Sequence, residues 1–366
     1  MNIERLRLYD FRNFAQLDQA FFKGVNVLYG DNAQGKTNLL EAVYFLCNIR
    51  PARASREQEL IRHERPLAFL KGVFNTRTGA VEREVTVSRE NKKAVKEDGQ
   101  MKHRWSELSG EIGAVFFSPE DLNLVKGEPQ GRRRFLDLIL YQMRPGRFKY
   151  LQGYYRVLSH RNSLLKSIKK NPSLASALAP WDEQLAELGA QLVKERLWVL
   201  DKISAMSCEF FKKFSNNTAD LRLEYIDTVK YRSLETLKDD FYDLLTINRQ
   251  RDIQRSFTTA GPHRDDVRFL INGYDARAFG SQGQQRLIVL CLKFAERQVF
   301  FMERGEYPIM LLDDVMSELD FFRRRQLLEP DGCQVFVTAT DLNILPGEIL
   351  EKSAIYRVES GQIEVK

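Results

Sequence analysis

The chain has 366 residues, which is enough for two domains of ordinary size. Apolar residues make up 43% of it, so a substantial core can be buried, which argues against a globally disordered chain. Lys and Arg number 56 against 50 Asp and Glu, and the resulting net charge of +6 is too mild to identify a nucleic-acid-binding protein by itself.

The first third of the chain reads mainly as strands. Apolar and polar residues alternate over residues 3–17, and an apolar run over residues 25–29 leads straight into a glycine. Residues 67–90 look like two paired strands with the turn at residues 75–79. Residues 115–117 are predicted to form a short buried strand that ends at Ser118-Pro119. We therefore expect a sheet-containing N-terminal lobe over residues 1–120.

From about residue 121 to 256 the spacing is helical. One long amphipathic helix is predicted by apolar residues at steps of three, four or seven, namely Leu185, Leu188, Leu192, Val199, Ile203, Met206 and Phe210. A coiled-coil seam is an alternative, but Glu195 interrupts it and favours a helix that faces a core. Strand signals return after residue 257. The sequence thus predicts one α/β domain built from both ends of the chain (residues 1–120 and 257–366), with a helical domain inserted between them.

A phosphate-binding loop is indicated by the pattern G-x-x-x-x-G-K-[ST], which lies between the predicted strand and a predicted helix. Its residues are Gly30, Asp31, Asn32, Ala33, Gln34, Gly35, Lys36 and Thr37. Glycines let backbone N–H groups point at phosphates, and the helix N-terminus adds positive charge there. We expect Lys36 to reach the β- and γ-phosphates of ATP and Thr37 to ligate Mg²⁺. A glycine turn with no ligand is the alternative.

Two carboxylates, Asp313 and Asp314, end an apolar strand at residues 308–312. In a fold with a phosphate-binding loop, Asp313 would hold Mg²⁺, and Asp314 would orient or deprotonate the attacking water. Acidic pairs also cap helices or face solvent, and that alternative stays open on this pattern alone.

Ser281, Gln282 and Gly283 precede an apolar helix, so Ser281 is expected to cap its N-terminus. Capping alone is one interpretation. The other is that this positive helix end receives the γ-phosphate of an ATP bound elsewhere.

The order of these motifs resembles ABC-type ATPases, whose signature, Walker B and D-loop motifs correspond to residues 281–284, 312–314 and 317–320. The nearest branch is that of the SMC-like recombination ATPases, and within it several stretches resemble the RecF family. These stretches are residues 11–14, 30–38, 117–122, 261–266, 281–286 and 312–320.

The resemblance implies an ATPase head assembled from N- and C-terminal lobes. It also implies that Ser281, Gln282 and Gly283 contact ATP held by a second subunit, that Asp320 lies across the dimer interface, and that Arg12 lies close to the phosphates. Two departures from transporter ATPases predict slow hydrolysis. Asp314 stands where those have Glu, and residues 338–340 stand where they have a switch histidine.

Basic residues are concentrated over residues 131–170, which contain eleven Lys and Arg and a single acid, Asp137, for a net charge of +10. Such a concentration of positive charge in one segment is typical of a contact with the DNA backbone. We expect DNA to contact Arg144, Arg147, Lys149, Arg156 and Arg161. A solvated face is the alternative, and Arg132 to Arg134 could instead serve ATP or an interface.

No secretory signal is expected, because the N-terminal segment carries charges every few residues, and no apolar run approaches the roughly 18 residues that a membrane helix needs. The four cysteines form no CxxC pair, which is typical of reduced thiols. We expect a cytoplasmic protein without membrane association.

The resemblance implies a slow, DNA-stimulated ATPase that dimerises on ATP and acts in DNA repair and replication. It would recognise duplex DNA next to single-stranded gaps and promote recombinase loading with RecO- and RecR-type partners. A transporter ATPase subunit is an alternative, which the split head, the basic segment and the absent switch histidine disfavour. An SMC-type DNA tether is another, for which the insertion is too short and lacks a CxxC hook.

Overall fold

The structure of the protein is a computed structural model. It describes residues 1–54, 56–90, 92–103, 108, 112–328 and 332–366, and in residues 318 and 321 the backbone alone.

The elements are numbered along the chain. The strands are β1 (Asn2–Phe11), β2 (Phe14–Ala20), β3 (Val25–Tyr29), β4 (Leu67–Thr76), β5 (Gly79–Ser88), β6 (Lys93–Glu97), β7 (Gln100–Lys102), β8 (Ala114–Phe117), β9 (Leu221–Ile226), β10 (Asp266–Ile271), β11 (Tyr274–Asp275), β12 (Ile309–Leu312), β13 (Val335–Ala339), β14 (Ala354–Glu359) and β15 (Gln362–Val365). The helices are α1 (Lys36–Asn48), α2 (Asn123–Lys126), α3 (Pro129–Met143), α4 (Phe148–Lys170), α5 (Ala179–Phe214), α6 (Leu237–Ile247), α7 (Arg249–Arg255), α8 (Ala276–Phe279), α9 (Gln282–Arg304), α10 (Phe321–Leu328) and α11 (Gly347–Leu350).

The chain divides into two compact units. The first joins Met1–Asp121 to Glu296–Lys366, and the second is Leu122–Ala295. The first boundary lies one residue from the predicted one. The second differs from the predicted boundary at residue 256, because β9 pairs along its whole length with β10 and so groups the following segment with the helices.

The first unit contains a six-stranded sheet in the order β15-β14-β3-β13-β12-β8. Its strands are parallel except for β15, which pairs antiparallel with β14. Strands β12 and β13 are buried at every position, which is why they read as unbroken apolar runs rather than as alternating patterns. Since β3 and β8 come from the N-terminal part and β12 to β15 from the C-terminal part, both ends of the chain build one sheet.

An antiparallel sheet, in the order β2-β1-β4-β5-β6-β7, completes the first unit. Its β4–β5 pair turns at residues 77–78, as the sequence predicts. Arg83 of β5 is buried, pairs with Glu97 and donates hydrogen bonds of 3.0 Å to the carbonyl oxygens of Leu46 and Cys47. These are among the last carbonyls of α1, which a helix leaves without partners, so Arg83 fixes the helix that follows the phosphate-binding loop.

The second unit is helical around α5, whose 36 residues confirm the predicted long helix. Glu195, which interrupts the apolar pattern, is buried, and its carboxylate pairs with Arg144 at 3.3 Å. The helix therefore packs within this unit as a core-facing helix. Strand β9 was not predicted from the sequence, although apolar and polar residues alternate at the start of residues 221–226. In the unit this strand joins β10 and β11 in a three-stranded sheet.

Candidate nucleotide-binding site

The carboxyl ends of three neighbouring parallel strands meet at one edge of the first unit's sheet. Strand β3 leads into the glycine-rich loop, β12 ends at Asp313, and β13, which lies between them, carries Thr338 near its end. Ligands of open α/β sheets bind outside the carboxyl ends of the strands. A pocket of about 260 Å³ lies there, lined by Asn32, Ala33, Gly35, Lys36, Thr37, Asn38, Arg53, Asp313, Asp314, Thr338, Ala339 and Thr340.

The loop at residues 30–37 has the backbone that its glycines predict. Gly30 has φ +148° and Gly35 has φ +116°, a region that side chains rarely allow. A Cβ at Gly30 would lie 2.4 Å from the carbonyl oxygen of Val358, and one at Gly35 would lie 2.5 Å from the side chain of Asn13. Both positions therefore need glycine for space as well as for conformation.

Lys36 begins α1 and folds across the loop. Its Nζ donates hydrogen bonds of 2.5 Å to the carbonyl oxygen of Gly30 and 2.7 Å to that of Asp31. Burial lowers the pKa of its ammonium group, while the nearby carboxylates of Asp313 and Asp314 oppose that shift. The ammonium group is thus held at the pocket by the two loop carbonyls.

Asp313, at the end of β12, is hydrogen-bonded to both α1 and β13. Its Oδ1 accepts hydrogen bonds from the Thr37 hydroxyl at 2.8 Å and from the Thr338 hydroxyl at 3.0 Å. Burial raises the pKa of this carboxyl group, and the two hydroxyl donors counteract the rise. Thr37 and Asp313, the two residues expected to ligate Mg²⁺, are therefore in direct contact, and their binding of Mg²⁺ stays a prediction.

Asp314 is exposed on the same edge. Its backbone N–H donates a 2.9 Å hydrogen bond to the Thr338 hydroxyl, and its φ is +53°, a value uncommon outside glycine. Asp314 therefore lines the pocket together with the buried Asp313.

Two further residues at the site were missed by the sequence analysis. Arg53 lines the pocket, pairs with Glu120 at 2.7 Å, and lies 3.8 Å from Oδ2 of Asp313. Asn13 donates to the carbonyl oxygen of Gln34 at 2.9 Å and accepts from the Asn38 amide at 2.8 Å, so it ties the loop to α1. Their contacts depend on chain segments that the motif does not include.

Arg12 is held near the loop but does not line the pocket. Its guanidinium group pairs with the buried carboxylate of Glu41 at 2.8 Å and donates to the carbonyl oxygen of Glu59. A contact between Arg12 and phosphates stays a prediction.

Ser281 caps α9 in the second unit, as predicted. Its hydroxyl accepts a 3.2 Å hydrogen bond from the N–H of Gln284, and its own N–H donates 2.9 Å to the Gln284 side chain. This reciprocal pair is a capping box. Ser281, Gln282 and Gly283 are exposed, so the positive end of α9 faces solvent.

The predicted DNA contacts divide into two groups. Arg147, Lys149 and Arg156 are exposed, and Arg144 is partly exposed while its guanidinium group lies over the Trp198 ring. Arg161 is fully buried and pairs with the equally buried Asp182 and Asp252 at 2.7 and 2.8 Å. The DNA-contact prediction for Arg161 is therefore wrong, because its charge is already neutralised inside the unit.

Arg132 also has a structural role within the second unit. It is buried, forms a two-pronged pair with Asp266, and donates to the carbonyl oxygens of Leu124 and Gly127. Such fork geometry is the strongest way for Arg to bind a carboxylate. Because Arg132 is buried and already paired, its guanidinium group is not available to ATP or to an interface.

The comparison with known proteins decides the family. The chain matches the sequence model described as RecF/RecN/SMC N terminal domain over residues 2–363. A protein of Halalkalibacterium halodurans named DNA replication and repair protein RecF is 40% identical over 100% of both chains. A protein of the same name from Natranaerobius thermophilus is 40% identical over 99% of this chain and 97% of the relative. The chain belongs to the RecF family.

Solved structures agree with the RecF assignment. The one described as the recombination mediator protein RecF-ATP in the RecFOR pathway superimposes with a TM-score of 0.93 at 33% identity, covering 100% of this chain and 97% of that one. An SMC head bound to the C-winged helix domain of ScpA gives 0.54 at 16% identity, covering 100% and 97%, which shows the fold alone. The predicted ABC/SMC-type ATPase head built from both ends of the chain is confirmed.

Within the described residues, no helix is both long and apolar enough to cross a membrane. Nor do those residues hold any group of three or more His, Cys, Asp or Glu side chains suited to a metal ion.

Proposed function

We propose that this RecF-family protein binds ATP at the pocket between β3, β13 and β12, hydrolyses it slowly, and acts on DNA in replication and repair. The observation that carries the proposal is the pair of hydrogen bonds that brings Thr37 and Thr338 onto Asp313 at the mouth of a glycine-rich loop. The names of the full-length relatives, and the ATP in the name of the superimposed RecF structure, support it.

Each part of the pocket has a role in binding. The N–H groups of residues 30–37 and the N-terminus of α1 would bind the phosphates, and Lys36 would neutralise the β- and γ-phosphates. The Thr37 hydroxyl and the Asp313 carboxylate offer the oxygen ligands that Mg²⁺ prefers, and Mg²⁺ commonly uses one or two such side chains together with substrate phosphates. When bound, the ion would neutralise charge that develops on the phosphates.

Asp314 would orient the attacking water. Its carboxylate lines the pocket beside Asp313, and its backbone is fixed by Thr338. The side chain is one methylene shorter than the Glu of transporter ATPases, so the water is placed less firmly. A slow turnover, in which ATP acts as a timer for the DNA-bound state, follows from this geometry.

A second copy would complete the site. Ser281, Gln282 and Gly283 present N–H groups and a helix N-terminus to solvent, which suits the γ-phosphate of an ATP bound by the partner. Neither copy would then have a complete site alone, and the dimer would form only with ATP. Asp320 would lie across this interface, and Arg12 near the phosphates.

The exposed cations Arg147, Lys149 and Arg156, with the partly exposed Arg144, would contact the DNA backbone. Duplex DNA next to a single-stranded gap would be the preferred substrate, and DNA would stimulate hydrolysis. RecO- and RecR-type proteins would be the partners in recombinase loading. The pathway named for the superimposed structure supports that context, and the compartment would be the cytoplasm.

One sizing experiment tests the proposal. The mass of the wild-type protein is measured without nucleotide, with ATP, and with ATP and duplex DNA, beside the Asp314→Asn variant. We expect a monomer without ATP, a dimer with it, and a longer-lived dimer in Asp314→Asn, which keeps the shape of the side chain but loses the base. A wild-type rate of ATP hydrolysis in Asp314→Asn would exclude the role given to that residue.

A further inference from the structure

A tight turn of the first unit lies against the phosphate-binding loop. Strands β14 and β15 form a hairpin whose two-residue turn is Ser360 and Gly361, between the paired residues Glu359 and Gln362. Both turn residues have positive φ, +48° and +74°, which is the pattern of a type I′ turn. Strand β14 pairs parallel with β3, the strand that leads into the loop, so the hairpin and the loop are neighbours within one unit.

Gln34 of the loop accepts hydrogen bonds from both residues of this turn. Its side-chain Oε1 accepts 2.7 Å from the N–H of Ser360, and its backbone carbonyl oxygen accepts 3.1 Å from the N–H of Gly361. The Asn13 side chain donates to the same carbonyl oxygen at 2.9 Å. Gln34 is not among the residues that line the pocket. Its side chain is therefore engaged by the turn and not by the pocket.

The hairpin also touches the start of the loop. A Cβ on Gly30 would collide with the carbonyl oxygen of Val358, which belongs to β14. The turn itself is packed as closely, because a Cβ on Gly361 would lie 2.6 Å from the carbonyl oxygen of Asn13. One hairpin thus contacts the loop at Gly30 and at Gln34, and the three residues between them, 31–33, span the gap.

A second hairpin of the same unit has the same local form without this close approach. Its turn, Asp98 and Gly99, joins β6 to β7 between the paired residues Glu97 and Gln100, and its φ values are +51° and +76°. A Cβ on Gly99 would meet no heavy atom within 4 Å. The sequences Glu-Asp-Gly-Gln and Glu-Ser-Gly-Gln therefore form equivalent turns, and the glycine of only the second approaches another segment closely. The contact with the loop is thus not a requirement of the turn.

We propose that the turn at Ser360 and Gly361 holds the phosphate-binding loop in the shape that receives ATP, with Gln34 as the positioning residue through which it acts. The inference rests on the proposed function, because it takes the loop as the ATP site. A loop that becomes ordered only when its ligand binds loses conformational freedom at that moment, which weakens binding. Two hydrogen bonds from a hairpin order the loop before the nucleotide arrives.

Gly361→Ala should weaken ATP binding about tenfold or more. The methyl group would displace the turn from Asn13, and with it the loop N–H groups, and one charge-assisted hydrogen bond to phosphate is worth about that factor. The loss should appear in KM and not in the turnover number, because the loop binds phosphates in the ground state and the transition state alike. Gly99→Ala is the matched control. It places the same side chain at nearly the same φ but meets no neighbour, so its ATP affinity should equal that of wild type.

Gln34→Met tests the positioning residue by itself. Met has a similar length but offers no oxygen to the N–H of Ser360, so ATP affinity should fall about fivefold, the worth of one neutral hydrogen bond. Ser360→Gly is the control for this variant. It removes the hydroxyl but keeps the backbone N–H that Gln34 accepts, and we expect wild-type affinity.

Affinity is measured by fluorescence titration of a labelled ATP analogue, at concentrations where the protein is monomeric, and KM by steady-state hydrolysis. Weaker binding in Gly361→Ala and Gln34→Met, with wild-type binding in Gly99→Ala and Ser360→Gly, supports the inference. Equal losses in the two glycine variants overturn it, and so does wild-type affinity in both Gly361→Ala and Gln34→Met. Either result leaves the proposed function intact. A wild-type protein that does not bind ATP overturns both.

Hydrogen exchange of the wild-type protein tests the same inference without a substitution that could disturb folding. Coupling between two sites is reciprocal, so nucleotide in the loop must slow exchange at the N–H groups of Ser360 and Gly361. The turn at Asp98 and Gly99 should exchange at the same rate with and without the ATP analogue. Unchanged exchange at Ser360 and Gly361 in protein saturated with nucleotide contradicts the inference. Equal slowing at both turns would assign the effect to the unit as a whole and contradicts it too.

Discussion

Thr338 and Asp313 are joined by a hydrogen bond of 3.0 Å, from the threonine hydroxyl to the carboxylate that faces the phosphate-binding loop. The same hydroxyl accepts 2.9 Å from the backbone N–H of Asp314. One side chain therefore positions both acidic residues of the proposed ATPase site. It does so from the strand position at which transporter ATPases are expected to carry a histidine.

Thr338→Val should lower the turnover number about ten- to a hundredfold with little change in KM for ATP. The substitution keeps the shape of the side chain but removes the hydroxyl that fixes the Asp314 backbone, and small misplacements of catalytic groups have effects of this size. Thr338→Ser, which restores the hydroxyl, is the matched control and should recover most of the rate. Steady-state ATP hydrolysis checks both variants, and equal loss in Ser and Val would mean that packing, not the hydroxyl, matters.

Lys36→Met should weaken ATP binding at least about tenfold and abolish ATP-dependent dimerisation. It removes the charge that the loop carbonyls of Gly30 and Asp31 hold in the pocket, and charge-assisted hydrogen bonds to phosphate are worth more than neutral ones. Fluorescence titration with a labelled nucleotide gives the affinity, and sizing gives the mass. Normal ATP binding and dimerisation in this variant would show that the phosphate-loop assignment is wrong.

Ser281→Arg should bind ATP yet fail to dimerise, because its own pocket is intact while the large cation clashes with the partner. Mixing it with Lys36→Met is the sharper measurement. Each mixed dimer would have one site with both defects and one intact site, so some ATPase activity should return. No recovery at any mixing ratio would argue against sites shared between copies.

His263 predicts a pH-dependent stability of the second unit. Burial lowers the pKa of its imidazole to about 4, and the ring contacts the Tyr154 hydroxyl at 2.7 Å and the carbonyl oxygen of Thr258 at 3.1 Å. Between pH 6.5 and about 4 the unfolded chain binds a proton at this histidine that the folded protein does not bind. The folded protein therefore has its full stability above pH 6.5 and loses stability as the pH falls toward 4. The loss should reach about 2 kcal/mol at pH 5.

The control for that prediction is His263→Gln, which has no titrating ring. The free energies of unfolding of wild type and variant are measured by urea denaturation at about pH 7.5 and pH 5. Because only wild type loses stability through this histidine, we expect the difference between the two to narrow by about 2 kcal/mol at the lower pH. A constant gap over this range would show that His263 titrates normally in the folded protein.

The sequence predicted the loop, the acidic strand end and the capped helix because each is a local pattern whose chemistry depends on neighbouring residues. It did not predict the contacts of Thr338, since these require β13 to lie between β3 and β12 in the sheet. Arg161 was misassigned for the same reason, because Asp182 and Asp252 reach it only in the folded unit. Charge along the chain shows where cations are concentrated but not which of them are already paired.

The difference between exposed cations and buried, paired ones decides which residues should be substituted to test DNA binding. Arg147, Lys149 and Arg156 are exposed on or just before α4, whereas Arg161 is buried with two carboxylates. If the exposed cations contact phosphates, much of the affinity comes from release of counterions and must fall steeply with salt. The triple variant Arg147→Ala, Lys149→Ala, Arg156→Ala should bind DNA more weakly at every salt concentration. Its log–log salt slope should be flatter by about two to three units, because each cation that neutralises a phosphate contributes about one unit.

Arg161→Ala is the informative comparison for that experiment. It leaves the buried carboxylate of Asp252 without Arg161 and that of Asp182 with Arg249 alone, and breaking a buried ion pair typically costs about 3–5 kcal/mol, so this variant should lose stability. The salt slope of whatever folded protein remains should match wild type, because Arg161 never reaches DNA. Titrations of labelled duplex DNA at several salt concentrations, beside thermal unfolding, separate the two effects. An unchanged affinity and slope in the triple variant would show that the basic segment is a solvated face, and the DNA path would then lie elsewhere on the protein.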